Sequence, residues 1–214
     1  MVDIFSEVDE EVRRDRALRL WKRYGNHVAG LAVLVVVATG AYVGWRDWDR
    51  KQAEAGAMRF QAASELEAAG KLDEAAAAYA IIAREGRAGY AALARLREAA
   101  LKAKMGDAAG AAAAYRAIAS DEDVAPELRN VATLLAGLHE IDSSDPARLE
   151  QQLAALSVAN SPWRHSALEL AAIAAARAGD AAKAREYYTR IVDDPSAPPG
   201  LRARASEMLA ALAG

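Results

Sequence analysis

Cysteine is absent from the 214 residues, which excludes disulfides and thiolate nucleophiles while leaving the redox compartment open. Histidine is almost as scarce: His27, His139 and His165 stand far apart, with no HExxH and no i,i+4 pair to seat a metal. The chain also lacks a GxSxG elbow, a GxxxxGK[ST] loop and a GxGxxG turn. Acidic groups gather at Asp121, Glu122 and Asp123 and at Asp193 and Asp194, where helix ends are expected and solvated carboxylates are the ordinary reading. No catalytic, cofactor-binding or metal residue is assigned, and neither an enzyme nor a small-molecule substrate is expected. The net charge of -3, without a basic cluster, argues against nucleic acid. Aromatics are only 6% of the chain while alanine is abundant, the composition of closely packed helices, so an all-α fold is expected.

Against this background the run Val28–Trp45, VAGLAVLVVVATGAYVGW, holds no charge over 18 residues. A helix of that length rises ~27 Å, close to the ~30 Å hydrocarbon core of a bilayer. Thr39 is its one polar side chain, and aromatics bracket it: Trp21 and Tyr24 before, Tyr42, Trp45 and Trp48 at the far edge and beyond. Ala38-Thr39-Gly40 resembles a signal-peptidase site, but the run continues past it and 27 residues precede it, so an uncleaved anchor is favoured. Six basic residues (Arg13, Arg14, Arg16, Arg19, Lys22, Arg23) precede the run and four (Arg46, Arg50, Lys51, Arg59) follow it, which favours a cytoplasmic N-terminus. The segment Glu10–Tyr24 reads either as an amphipathic surface helix or as a solvated tail. Gly40 and Gly44 form a GxxxG spacing, common in membrane helices.

Beyond Lys51 the chain repeats itself. Tyr follows Gly by nine at Gly70/Tyr79, Gly106/Tyr115 and Gly179/Tyr188, and Ile follows each Tyr by three, at Ile82, Ile118 and Ile191. Successive glycines lie 36 and then 73 residues apart, one and two periods near the ~34-residue helix-turn-helix repeat. A degenerate copy is therefore expected between them, its turn in EIDSSDPARLEQQL near residue 142. Glycine ends the first helix of each pair, Tyr and Ile share one face of the second, and Ala63, Ala99 and Ala172 permit close packing. All six prolines fall outside the helix interiors. Helix pairs are expected at 52–69 with 72–84, 88–105 with 108–119, 126–141 with 146–158, and 162–178 with 181–193, and a terminal helix over 200–212 covers the end of the stack.

The segments GKLDEAAAAY, GDAAGAAAAY and GDAAKAREYY resemble the tetratricopeptide repeat, with Gly at the turn, Ala five residues on and an aromatic four further. The aromatics usual in the first helix of that repeat are missing. The whole layout, a short charged N-terminus, one span ending in GAYVGWRDWDRKQAEAGAMRFQAA and an alanine-rich array, resembles the ancillary SecYEG translocon subunit family, the YfgM-like proteins. That resemblance implies a bacterial inner-membrane protein with a cytoplasmic tail (1–27), a transmembrane helix (28–45) and a periplasmic repeat domain (46–214). Its implied partners are export-channel subunits, periplasmic chaperones and exported chains. An envelope-assembly or cell-division adaptor of the same fold is the alternative. By resemblance to the repeat family, first-helix positions form a concave partner-binding groove: Phe60, Ser64, Glu67, Leu93, Leu96, Lys104, Glu169, Ile173 and Arg177. Its apolar and basic mixture suits a protein segment.

Overall fold

The computed structural model describes the backbone of residues 3–213, so Met1 and Val2 of the N-terminal tail, and the side chains of Arg13, Arg14, Arg16 and Arg19 that enter the orientation argument, lie outside the described residues. Every regular element among the described residues is a helix: α1 (Asp3–Ala68), α2 (Leu72–Glu85), α3 (Ala88–Lys104), α4 (Ala108–Ala119), α5 (Pro126–Glu140), α6 (Pro146–Ala154), α7 (Arg164–Arg177), α8 (Ala181–Val192) and α9 (Pro199–Ala213). Contacts divide the chain into two compact units after Glu54.

In the first unit one helix is long and apolar enough to cross a membrane, with an 18-residue window of mean hydropathy 2.0 and none of it buried. Leu31 and Val33 to Val37 stand between 53% and 71% exposed, a density of bare aliphatic surface that water does not favour. The Thr39 hydroxyl donates to the Val35 carbonyl at 2.7 Å, so the one polar side chain of the run is satisfied within its own helix. Aromatic rings stay exposed at both edges, Trp21 and Tyr24 before and Tyr42, Trp45 and Trp48 after. No proline interrupts residues 3–68, and a single helix, α1, holds both the apolar run and the first repeat helix. Sequence periodicity treats that repeat helix as a separate element starting at residue 52; nothing in the sequence ends a helix there.

The second unit, from Ala55, is a succession of helix pairs, three of which turn in the same way. Gly70, Gly106 and Gly179 take φ of 77°, 91° and 78°, the left-handed conformation that glycine adopts freely. At each, the glycine N–H and the following N–H close back on the helix: Gly70 to Glu67 and Lys71 to Leu66, Gly106 to Ala103 and Asp107 to Lys102, Gly179 to Ala176 and Asp180 to Ala175, all between 2.9 and 3.1 Å. This double closure satisfies carbonyls that a helix end leaves open. The residue after the glycine then starts the next helix. Asp107 accepts from the Gly110 N–H at 2.8 Å and Asp180 from the Lys183 N–H at 3.0 Å. Lys71, with nearly the same backbone angles, has no side-chain cap to offer.

The degenerate copy turns without glycine. The Glu140 carbonyl accepts from Ser143 and Ser144, Asp145 caps α6 through the Ala147 N–H at 2.9 Å, and Pro146 takes the first turn. α6 stops at Ala154, four residues short of the expected end. α7 begins at Arg164 with Trp163 as N-cap, because Pro162 and Trp163 form a separate turn held by the Ser161 hydroxyl. α9 begins at Pro199.

Packing confirms the phase of the repeats. Tyr79, Tyr115 and Tyr188 are 0%, 2% and 1% exposed, Ile82, Ile118 and Ile191 are buried with them, and Ala63, Ala99 and Ala172 are fully enclosed. Three apolar clusters result. The first holds Ala63, Tyr79, Ile82, Ala94 and Leu101; the second Ala92, Ala99, Tyr115, Ile118 and Ala132; the third, and largest, joins α6 to α9 around Leu149, Leu153, Leu168, Tyr188 and Ile191. α3 serves two clusters from opposite sides, through Ala94 and Leu101 on one and Ala92 and Ala99 on the other.

Candidate partner-binding surface

The nine residues expected to line a groove lie on α1, α3 and α7, the first helices of their pairs, and the structure gives them different tasks. Phe60 is half-buried, its ring 5.3 Å from that of Tyr79 and 6.0 Å from that of Tyr90, so it ties the first pair to α3. Leu96 packs on the second cluster. Ile173 is half-buried and Ser64 exposed. Glu67 accepts from the Tyr79 hydroxyl at 3.4 Å and lies 3.8 Å from the Lys104 ammonium. Glu169 takes a two-pronged bond from Arg204 of α9, at 3.0 and 3.2 Å. Arg177 is ion-paired with Asp142 in the degenerate turn. The two cations expected to greet a partner's carboxylates, Lys104 and Arg177, therefore already face carboxylates of their own chain. Leu93 remains open, at 38% exposure.

Neighbouring groups on this face are electrostatically linked. Burial, with the nearby Glu67 carboxylate, pushes the Tyr79 phenol up from its ordinary range, and the positive charge of Arg97 pulls against that shift. Burial likewise raises the Tyr115 phenol, again opposed by Arg97. The sequence reading passes over Arg97; its position, four residues after Leu93 and seven before Lys104 on one face of α3, is the signal that marks it.

Away from this face, cavities open beside the degenerate copy. One of about 530 Å³ lies between α4, α5 and α6, lined by Ala113, Ala117, Thr133, Ala136 and Gln152 with Arg116 at its edge. A second of about 380 Å³ adjoins it and includes His139, Glu140 and Ser144. None of the nine expected groove residues lines either. Glu140 is buried and bonded to Arg116 at 2.8 Å and to Ser144 at 3.2 Å, so its charge is neutralised within the chain. The long-range polar pairs have no sequence signal, since their partners stand 29 to 37 residues apart: Lys183 with Glu150 at 2.5 Å, Tyr187 with Glu150, and His165 with Asp194 at 2.8 Å. Ser196, through its hydroxyl at 2.7 Å, together with His165, the Ser196 N–H and Arg164, holds the buried Asp194 carboxyl well below the usual carboxylate range. Glu150 is also lowered: burial opposes the ionised form, but Lys183 and the Tyr187 hydroxyl outweigh it. Among the described residues no group of three or more metal-ligating side chains converges.

Three helix pairs have a buried tyrosine and a left-handed glycine at the turn, the fourth turns without glycine, and a profile of tetratricopeptide repeat-like domains matches residues 19–204. The chain belongs to the tetratricopeptide repeat-like family. The match opens ahead of the apolar run and takes it in together with the array. A search of curated proteins finds no match. As a tetratricopeptide repeat-like protein the chain carries a fold whose extended helical surfaces hold other proteins, and its protein partners follow at that level.

Proposed function

We propose that this tetratricopeptide repeat-like protein is a membrane-anchored scaffold that binds protein segments at the export channel of the bacterial inner membrane. Residues 1–27 form a cytoplasmic tail, 28–45 the single span and 46–214 a periplasmic array that receives exported chains and recruits chaperones. The observation that carries the reading is the fully exposed apolar window in the same chain as a protein-binding repeat array. The basic bias of six residues before the run against four after it supports the orientation. The export channel enters through the likeness of layout to the ancillary translocon subunits.

The test is photo-crosslinking in intact cells from an unnatural amino acid at Leu93, followed by mass spectrometry. Channel subunits, periplasmic chaperones or exported chains among the products are the expected result. Products confined to cytoplasmic proteins would overturn the topology, and products confined to envelope-assembly or division proteins would overturn the assignment to export.

A further inference from the structure

The short helix α6 stops at Ala154, and Leu156 then turns into the third cluster. Beside that early end a cavity of about 430 Å³ opens between α6, α7 and α8, walled by Ala154, Val158, Ala159, Ala171 and Tyr187. Glu150, Ser157 and Arg190 supply its polar edge. Val158 is 54% exposed, so an aliphatic side chain is left bare in the wall. The guanidinium carbon of the exposed Arg190 lies 5.8 Å from the centre of the Tyr187 ring. That ring is buried and its hydroxyl is bonded to Glu150, so the platform under the guanidinium is fixed. Glu150 is itself paired with Lys183 at 2.5 Å. Arg190 forms no ion pair among the described residues. The one charge left open on the cavity is therefore positive. Arg190 also borders a second cavity, of about 360 Å³, together with Arg164, Asp193 and Asp194. There Arg164 is bound to Asp194, and Asp193 keeps its negative charge to itself.

We propose that this cavity binds an ionised medium-chain fatty acid, with the carboxylate on Arg190 and the alkyl chain along Ala154, Val158, Ala159 and Ala171. Each part of the ligand answers a part of the wall. Alanine and valine side chains offer nothing to hydrogen-bond a sugar or a base, but they bury methylene groups well. A single guanidinium held on an aromatic face binds a carboxylate through two parallel hydrogen bonds. A doubly charged phosphate would bring a second negative charge that no further open cation meets, and it would face the Asp193 carboxylate across Arg190. The volume sets the size. Sites that enclose a small ligand run from about 300 to 1,000 Å³, and this one, near the lower end, has room for one alkyl chain and not for the two of a phospholipid.

The test is photolabelling of the full chain in lipid nanodiscs with decanoic acid that carries a diazirine on its alkyl chain, the labelled residues being mapped by mass spectrometry. Labels at residues 154–159 and at Ala171 report the cavity, and labels on the apolar run 28–45 report probe dissolved in the bilayer and serve as the internal reference. Against that reference, Arg190→Gln should lower labelling of the cavity about tenfold, the loss of one charge-assisted contact. Arg190→Lys should keep the larger part of it, and Ala154→Trp, which fills the cavity, should abolish it. Unlabelled decanoate in excess should remove the cavity labels, decyl phosphate should do so less well, and decanol not at all. Labels confined to 28–45, or cavity labels that survive Arg190→Gln or yield equally to decanol, would overturn the site. Decyl phosphate competing better than decanoate would overturn the assignment to a carboxylate. Should Arg190→Gln lose helicity, decanol against decanoate on the wild-type chain decides the question alone.

Discussion

At the scale of single residues, the three repeated tyrosines show how one packing role admits different polar fates. All three rings are buried, but the Tyr79 hydroxyl reaches Glu67 whereas the Tyr188 hydroxyl has no partner. The residue matching Glu67 in the fourth pair is Ala176, whose side chain offers no acceptor. Tyr115→Ala should destabilise the array by about 3–5 kcal/mol through lost burial and the cavity left behind. Tyr188→Phe should leave thermal stability unchanged or raise it, because an unpaired buried hydroxyl costs free energy, while Tyr79→Phe should lower it. Equal melting temperatures for the two Phe variants would contradict this account. Asp194 supplies a pH dependence of definite sign. Its folded-state ionisation lies below the ordinary carboxylate range, so its contribution is complete above pH ~4, the unfolded value, and is lost as pH falls through the folded one. Wild type should therefore lose melting temperature on acidification more steeply than Asp194→Asn, and the variant should melt lower at pH 7.

At the scale of elements, the Gly-Asp turn does two jobs in adjacent residues, ending one helix and capping the next. In Gly106→Ala the new Cβ meets no atom within 4 Å, so its cost is backbone strain alone, about 1–2 kcal/mol at φ 91°. Lys71→Asp should gain about 1 kcal/mol by supplying the cap that Asp107 and Asp180 already provide, against the loss of an exposed pair with Glu74 worth little. Chemical denaturation of both variants checks the two directions together. These turns were readable in the sequence because glycine and aspartate report local backbone chemistry, and the tyrosines because their spacing reports which face is buried. The continuity of α1 was not readable from periodicity, since repeats mark pairs and not the uninterrupted helix that leads into them. Nor was the early end of α6, where Ala155, Leu156 and Ser157 are compatible with helix and only the packing of Leu156 into the third cluster bends the chain away. The expected groove residues lie on the first helices of their pairs, but the sequence could not show that Lys104 and Arg177 meet Glu67 and Asp142, because such pairs are made by stacking.

At the scale of the whole molecule, α9 closes the array by burying Leu201 and Ala205 in the third cluster, with Arg204 bonded to Glu169. Removing residues 199–213 should bare α8 and shift the detergent-solubilised protein toward larger assemblies in size-exclusion chromatography with light scattering. An unchanged mass would show that α9 is not a cap. The clusters also differ in size: among the described residues the first contains six buried residues, three of them alanine, and the last fifteen. In an array that interacts only between neighbours, local opening follows the weakest interface. Amide exchange should accordingly be a gradient along the chain, fastest in α2 and slowest in α7 and α8. The pair most ready to open is then the one nearest in sequence to the apolar helix, so the array gives way first beside that helix and last at α7 and α8.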